Sequence, residues 1–246
     1  MPSRWHLHLA AHPTSIHMHH LHAVISGCIG HSSTGTSDFA LCPPEMAAEN
    51  TTRVEIRLLR DDRELVDRFV DGVVRLDRSG GVRLGSEGSQ RTVPILSPTT
   101  GLNTDSLSLI QAMSWAELRD LGRPTSEFTM HFLSPYFSRQ GGVQLPVPMP
   151  GSVLRSLSDR WHALAPEFAP RVRFDSLGLA ITDLRGETLS VALDRVRYTG
   201  FVGEVTYVAA RANATGRLSL GQLLTAAPFT GVGSSTAYGF GVIEIG

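Results

Sequence analysis

Thr230-Gly-Val-Gly-Ser-Ser-Thr-Ala-Tyr-Gly-Phe-Gly241 places four glycines in twelve residues. It joins a stretch that reads as a helix, Leu218 to Phe229, to one that reads as the last strand, Ala237 to Ile245. Glycine lets a backbone take positive φ and approach a ligand closely, and the amides of such a nest suit an anionic phosphate. The segment is no dinucleotide fingerprint. Gly231 and Gly233 keep the GxG spacing, but Thr236 stands where the third glycine belongs, and the segment follows a helix where that motif follows a strand. Taken alone, a glycine-rich stretch of this kind is more often a tight turn.

Working outward, three strand candidates precede the last helix, at Leu177 to Leu184, Leu189 to Tyr198 and Val202 to Ala210. Before them stand a strand, Glu127 to Ser134, a proline-rich loop, Leu145 to Pro150, and a helix, Gly151 to Leu164, with Val153, Leu154, Leu157, Trp161 and Leu164 on one face. The chain start repeats this opening. Trp5, Leu7 and Leu9 alternate with polar residues as in a half-buried strand. Ile16 to Cys28 follow a helical period that Gly30 stops, and a loop, Ser32 to Asp38, leads to an extended Phe39-Ala-Leu-Cys-Pro-Pro. Thr52 to Leu59 alternates as a strand, Glu64 to Val74 reads as a helix, Val82 to Leu84 and Thr92 to Leu96 as short strands, and Ser106 to Leu118 as a second helix. Arg123-Pro-Thr-Ser126 marks a boundary. The element order predicts an α+β chain of two tandem ferredoxin-like modules, 1–123 and 124–246, with no sequence repeat between them.

Composition narrows the chemistry. All 22 basic residues are Arg, so amine chemistry is excluded, from Schiff bases to a Walker-type lysine. Cys28 and Cys42 form no CxxC and cannot alone make a zinc site, which fits a reducing compartment, and the cytoplasm is expected. No apolar run is long enough to span a membrane, and no signal-peptide core is expected at the N-terminus. A net charge of −1 argues against coating nucleic acid through a global field, yet leaves room for a local Arg-lined groove.

The order Gly200-Phe-Val-Gly-Glu-Val-Thr-Tyr207, then Leu223-Leu224 and Phe229, then Gly231-Val-Gly-Ser-Ser-Thr-Ala-Tyr-Gly-Phe-Gly241, resembles the C-terminal signature of the CRISPR-associated repeat-processing endoribonucleases of the RAMP superfamily. Phe132-Leu-Ser-Pro-Tyr-Phe137 resembles that family's Phe-x-Thr/Ser-Pro-x-x-Phe strand, and Pro146-Val-Pro-Met-Pro150 with Val153, Leu157 and Arg160-Trp161 its following helix. Leu21-His-Ala-Val-Ile25 stands where the family's first helix carries Leu-x-Gly-x-Leu/Ile. The resemblance implies two ferredoxin-like (RRM-type) domains and metal-independent cleavage of precursor CRISPR RNA within the repeat. The 2′-hydroxyl would attack the adjacent phosphorus, leaving a 2′,3′-cyclic phosphate and a 5′-hydroxyl, with a histidine as acid or base. No cofactor is implied. Ser26 or Gly27 occupies the place where some members carry Tyr, and Lys is absent.

Eight histidines lie in the first 31 residues: 6, 8, 12, 17, 19, 20, 22 and 31. Metal binding competes for them, through His17-x-His19 and His19 with His22, but no carboxylate precedes Asp38, and neither HxHxDH nor HExxH is met. His31 follows the helix stop and precedes an aromatic, small-residue segment, the family's usual place for its catalytic histidine. It is the first catalytic candidate, with His22 and then His20 behind it. For RNA contacts the candidates are Gly231, Gly233, Ser234, Ser235, Thr236, Gly239 and Gly241, with Arg155 and Arg160 on the second-half helix and Arg195 and Arg197 on a strand. Expected partners are CRISPR repeat RNA and other CRISPR effector subunits, and monomer and homodimer both stay open. The competing functions are a non-catalytic RAMP subunit that holds guide RNA and a His-rich metal-dependent hydrolase.

Overall fold

The computed structural model describes residues 1–30, 37–85, 90–96, 103–104 and 107–246. His31 and most of the loop read at Ser32 to Asp38 lie outside them. The chain divides into two compact units, Met1–Ala112 and Met113–Gly246.

The first unit is built from β1 (Ser3–Leu9), α1 (Met18–Ile29), β2 (Phe39–Leu41), β3 (Thr51–Leu58), α2 (Arg63–Arg78) and β4 (Leu107–Ala112). The sheet order β2-β3-β1-β4, all antiparallel, is the ferredoxin-like order, with short strands added at its margins. Alternation decides which face is covered: Trp5, Leu7 and Leu9 of β1 and Val54, Ile56 and Leu58 of β3 are buried. The helices bury Leu21 and Ile25 of α1 and Leu65, Phe69 and Val73 of α2, and Phe69 meets Trp5 edge-on at 5.9 Å. Gly72 lets α2 approach α1, since a Cβ there would stand 2.6 Å from the Cys28 Cβ.

The other face of that sheet carries a charge cluster. Arg4 grips Glu55 with two N–H groups at 2.8 and 3.0 Å, Arg57 donates to the same carboxylate at 2.6 Å, and the His6 Nε2 stands 3.6 Å away. Burial alone would raise the Glu55 carboxyl, but the His6 ring, the Arg4 fork and the Arg57 charge outweigh it and hold the group well below its ordinary 4.5. A depressed carboxyl stabilises the fold above its ordinary value and loses that contribution as pH falls toward the folded-state value. Stability of the wild type should therefore decline below about pH 4.5. Glu55→Gln strands Arg57, only 4% exposed, without its anion. It should cost about 3 kcal/mol near neutrality and flatten the acid limb; urea midpoints across pH check both.

The second unit is built from β5 (Glu127–Tyr136), α3 (Pro150–Leu164), β6 (Leu179–Leu193), β7 (Val196–Ala209), α4 (Ala214–Leu224) and β8 (Ile243–Ile245), in the sheet order β6-β7-β5-β8. This is the ferredoxin-like order again. Phe128, Met130 and Phe132 of β5, with Phe201, Val205 and Tyr207 of β7, form its buried face.

Four expectations are corrected. Ser106 to Leu118 is not one helix: β4 pairs with β1 along Leu107–Ala112, and a helix begins only at Trp115, behind a Ser114–Glu117 capping box. The domain division falls at 112/113 rather than 123/124, because that helix packs into the second unit. Trp115 lies 5.0 Å from Trp161, and the Thr225 hydroxyl donates to the Leu118 carbonyl at 2.8 Å. The three strand candidates after Leu177 are two long strands turning at Asp194-Arg195. Gly186 and Gly200, which fall in the gaps between those candidates, both lie within the ladder, opposite Gly203 and Leu189. Finally, the last strand spans only Ile243–Ile245, since Thr236–Tyr238 is a 3-10 turn. No helix among the described residues is long and apolar enough to cross a membrane.

Candidate nucleic-acid interface

The glycine segment begins where the short helix Ala227–Thr230 ends, and two stretches distant in sequence hold it. From the end of β5, the Pro135 carbonyl accepts the Gly241 amide at 3.0 Å and the Phe137 carbonyl accepts the Ser234 amide at 2.8 Å. From α3, the Ser156 hydroxyl accepts the Gly233 amide at 2.9 Å. The segment also closes on itself, Val232 donating to the Gly241 carbonyl at 2.8 Å. Two glycines are obligatory for this course. Gly241, at φ 62°, would bring a Cβ to 1.8 Å from the Val232 carbonyl oxygen, and Gly233, at φ 79°, to 2.5 Å from that of Phe137.

Arg160 is the centre of the brace. Its guanidinium donates to the Thr230 carbonyl, to the Thr236 hydroxyl at 2.8 Å and to the Gly233 carbonyl. Burial lowers it to about 10, so it stays charged at neutral pH. Sequence reasoning took Arg160 for a phosphate ligand, whereas the structure directs three of its hydrogen bonds to the loop. The amides of Gly231, Gly233, Ser234, Gly239 and Gly241 likewise donate to protein acceptors, so they form no phosphate nest. The outward groups here are the half-buried Ser234 and Ser235 and, next to Ser156 on α3, the exposed Arg155. Sequence reasoning missed Arg139, exposed on a two-stranded hairpin, Ser138–Gln140 with Val143–Leu145, that follows β5 directly. The Gly141-Gly142 pair was the available signal for that turn.

In the first unit, α1 carries a row of imidazoles. The rings of His17, His19 and His20 lie 3.8 to 5.9 Å apart, and the His20 Nδ1 accepts the Gly85 amide at 3.2 Å. Burial, and then the neighbouring His19 and His17, lower the His20 pKa. His22 is half-buried, its ring 5.4 Å from that of Phe39. Among the described residues no cluster of His, Cys, Asp and Glu is arranged to hold a metal ion. The flanks of residues 31–36 are tied: Arg68 donates to the Ile29 carbonyl at 3.0 Å, and Asp38 pairs with Arg60.

The fold of two ferredoxin-like units is shared with a RAMP protein solved binding different RNA substrates, which is 10% identical with a TM-score of 0.56, over 99% of both chains. Residues 130–243 match the family described as CRISPR-associated endoribonuclease Cas6. Cas6 (TTHB231) of Thermus thermophilus, solved as a product complex, is 23% identical with a TM-score of 0.72, over 100% of both chains. Cas6 (TTHA0078), solved as a histidine-to-alanine mutant, is 25% identical with a TM-score of 0.71, over 100% of this chain and 98% of that one. It has also been solved as product and substrate-mimic complexes. A Cas6-related protein from Pyrococcus furiosus is 10% identical with a TM-score of 0.59, over 100% and 98% of the two chains. No curated protein matches the chain.

Proposed function

We propose that the protein binds a CRISPR repeat RNA and cuts it within the repeat without a metal ion. The observation that carries this reading is that the Cas6 family match, residues 130–243, spans the braced glycine segment and both exposed arginines beside it, Arg139 and Arg155. Relatives solved with product and with a substrate mimic support RNA as the substrate. In the reaction, the 2′-hydroxyl loses its proton and its oxygen bonds to the adjacent phosphorus. The bond to the 5′-oxygen breaks, that oxygen takes up a proton, and a 2′,3′-cyclic phosphate remains. In a chain without Lys, histidine is the side chain best suited to carry these protons at neutral pH. His31, next to Gly30 at the end of α1, is the proposed acid or base, with His22 as the alternative. Arg155, Ser234 and Ser235 are proposed to contact RNA, the glycines and Thr236 acting through the shape they give the loop.

Labelled repeat RNA incubated with the protein in excess EDTA is expected to yield a fragment ending in a cyclic phosphate, identified by mass. Cleavage only with added divalent metal would point to the His-rich hydrolase. Binding without cleavage under either condition would leave a guide-holding RAMP subunit.

A further inference from the structure

We propose that Arg139, laid across the rings of Phe137 and Tyr198, is a phosphate-binding subsite for single-stranded RNA beside the glycine segment. The inference rests on the RNA-binding reading above and adds a contact that reading did not contain. The Arg139 guanidinium carbon stands 5.9 Å from the Phe137 ring centre and 6.0 Å from that of Tyr198. Those rings stack on one another at 5.3 Å and 27°, and Phe240, from the glycine segment, closes the group at 5.2 and 5.5 Å. Phe137 and Phe240 are buried and Tyr198 half-buried, so the platform is fixed by packing on its inner side.

The hairpin that carries Arg139 is fixed as well. Gly141 and Gly142 turn it with φ of 56° and 82°, and Gln144, opposite Arg139 in the ladder, accepts the Thr199 amide at 3.3 Å. That bond holds the hairpin against β7 beside Tyr198. Phe137, which supports Arg139 through its ring, binds the Ser234 amide through its carbonyl. The arginine and the loop therefore share one anchor residue.

What is left over is the charge. Arg139 is exposed, and among the described residues it makes no ion pair and no hydrogen bond, unlike Arg4, Arg53, Arg57, Arg60 and Arg68, which hold carboxylates. A guanidinium lying on aromatic faces keeps its N–H groups in the plane of the fork, where a phosphate accepts two of them. Among the described residues no carboxylate pairs with it.

The test is equilibrium binding of a labelled repeat RNA to the full chain in EDTA at several salt concentrations. The proteins are wild type, Arg139→Ala, Arg139→Lys and, as a control for lost charge, Arg63→Ala. Arg139→Ala should melt with the wild type and bind roughly fivefold to tenfold more weakly at low salt, with the slope of log affinity on log salt shallower by about 0.7, the value for one phosphate of a single strand. Arg139→Lys should fall between, since it keeps the charge and loses the fork, and Arg63→Ala should match the wild type. Wild-type affinity in Arg139→Ala would overturn the subsite and leave the RNA-binding reading intact. So would weaker binding at an unchanged slope, which would indicate base stacking, or an equal loss in Arg63→Ala. Failure of the wild type to bind repeat RNA would overturn both.

Discussion

Exchanging His31 for alanine is expected to lower the single-turnover rate of repeat cleavage by roughly 10²- to 10⁴-fold, the range a general acid or base contributes. Repeat affinity should stay nearly unchanged, because one imidazole adds little to binding spread over many phosphates. His22→Ala should do less, since that ring is half-buried against Phe39. Single-turnover kinetics with enzyme in excess separate the two effects from product release. Full activity in His31→Ala with loss in His22→Ala would move the chemistry onto α1. Full activity in both would end the histidine mechanism.

Arg160→Ala is expected to give the largest loss of stability in the second unit, roughly 4 kcal/mol. It removes charge-assisted bonds to Thr230, Thr236 and Gly233 at once and strands the Thr230 and Gly233 carbonyls. RNA affinity should fall with it as the loop loses its shape. Arg160→Lys should recover little, because one ammonium cannot reach three acceptors spread across a planar fork. Urea unfolding and RNA binding measured on the same samples decide the point. A variant as stable as the wild type that binds RNA weakly would return Arg160 to the role of phosphate ligand.

Much of the frame is legible in the sequence where one face is buried and the other is not. Trp5-x-Leu7-x-Leu9 and the Thr52 to Leu59 run alternate because the helices cover one side of that sheet and the charge cluster around Glu55 lines the other. Leu107–Ala112 misleads for a tertiary reason: its apolar residues also fit a helical period, and it becomes a strand because β1 has an open edge on that side. Gly186 misleads because glycine punctuates loops in general. Here it faces Gly203 in a ladder where a Cβ on either residue would come within 2.2 Å of the opposing backbone. The glycine segment is found by its residues, but not the direction its amides point. That depends on Pro135, Phe137 and Ser156, about a hundred residues upstream for the first two and nearly eighty for the third, which no local pattern reveals.

The bracing of the glycine segment has a thermodynamic consequence. Four glycines make this stretch costly to order, because an unfolded glycine has more conformations to lose than any other residue. With the amides of all four glycines bonded and the Thr230 and Gly233 carbonyls held by Arg160, that entropy is spent when the domain folds. A ligand meeting the surface therefore finds a loop already in one conformation, and its contact energy goes to affinity rather than to ordering the protein. A stretch whose composition suggests a hinge acts instead as a rigid template.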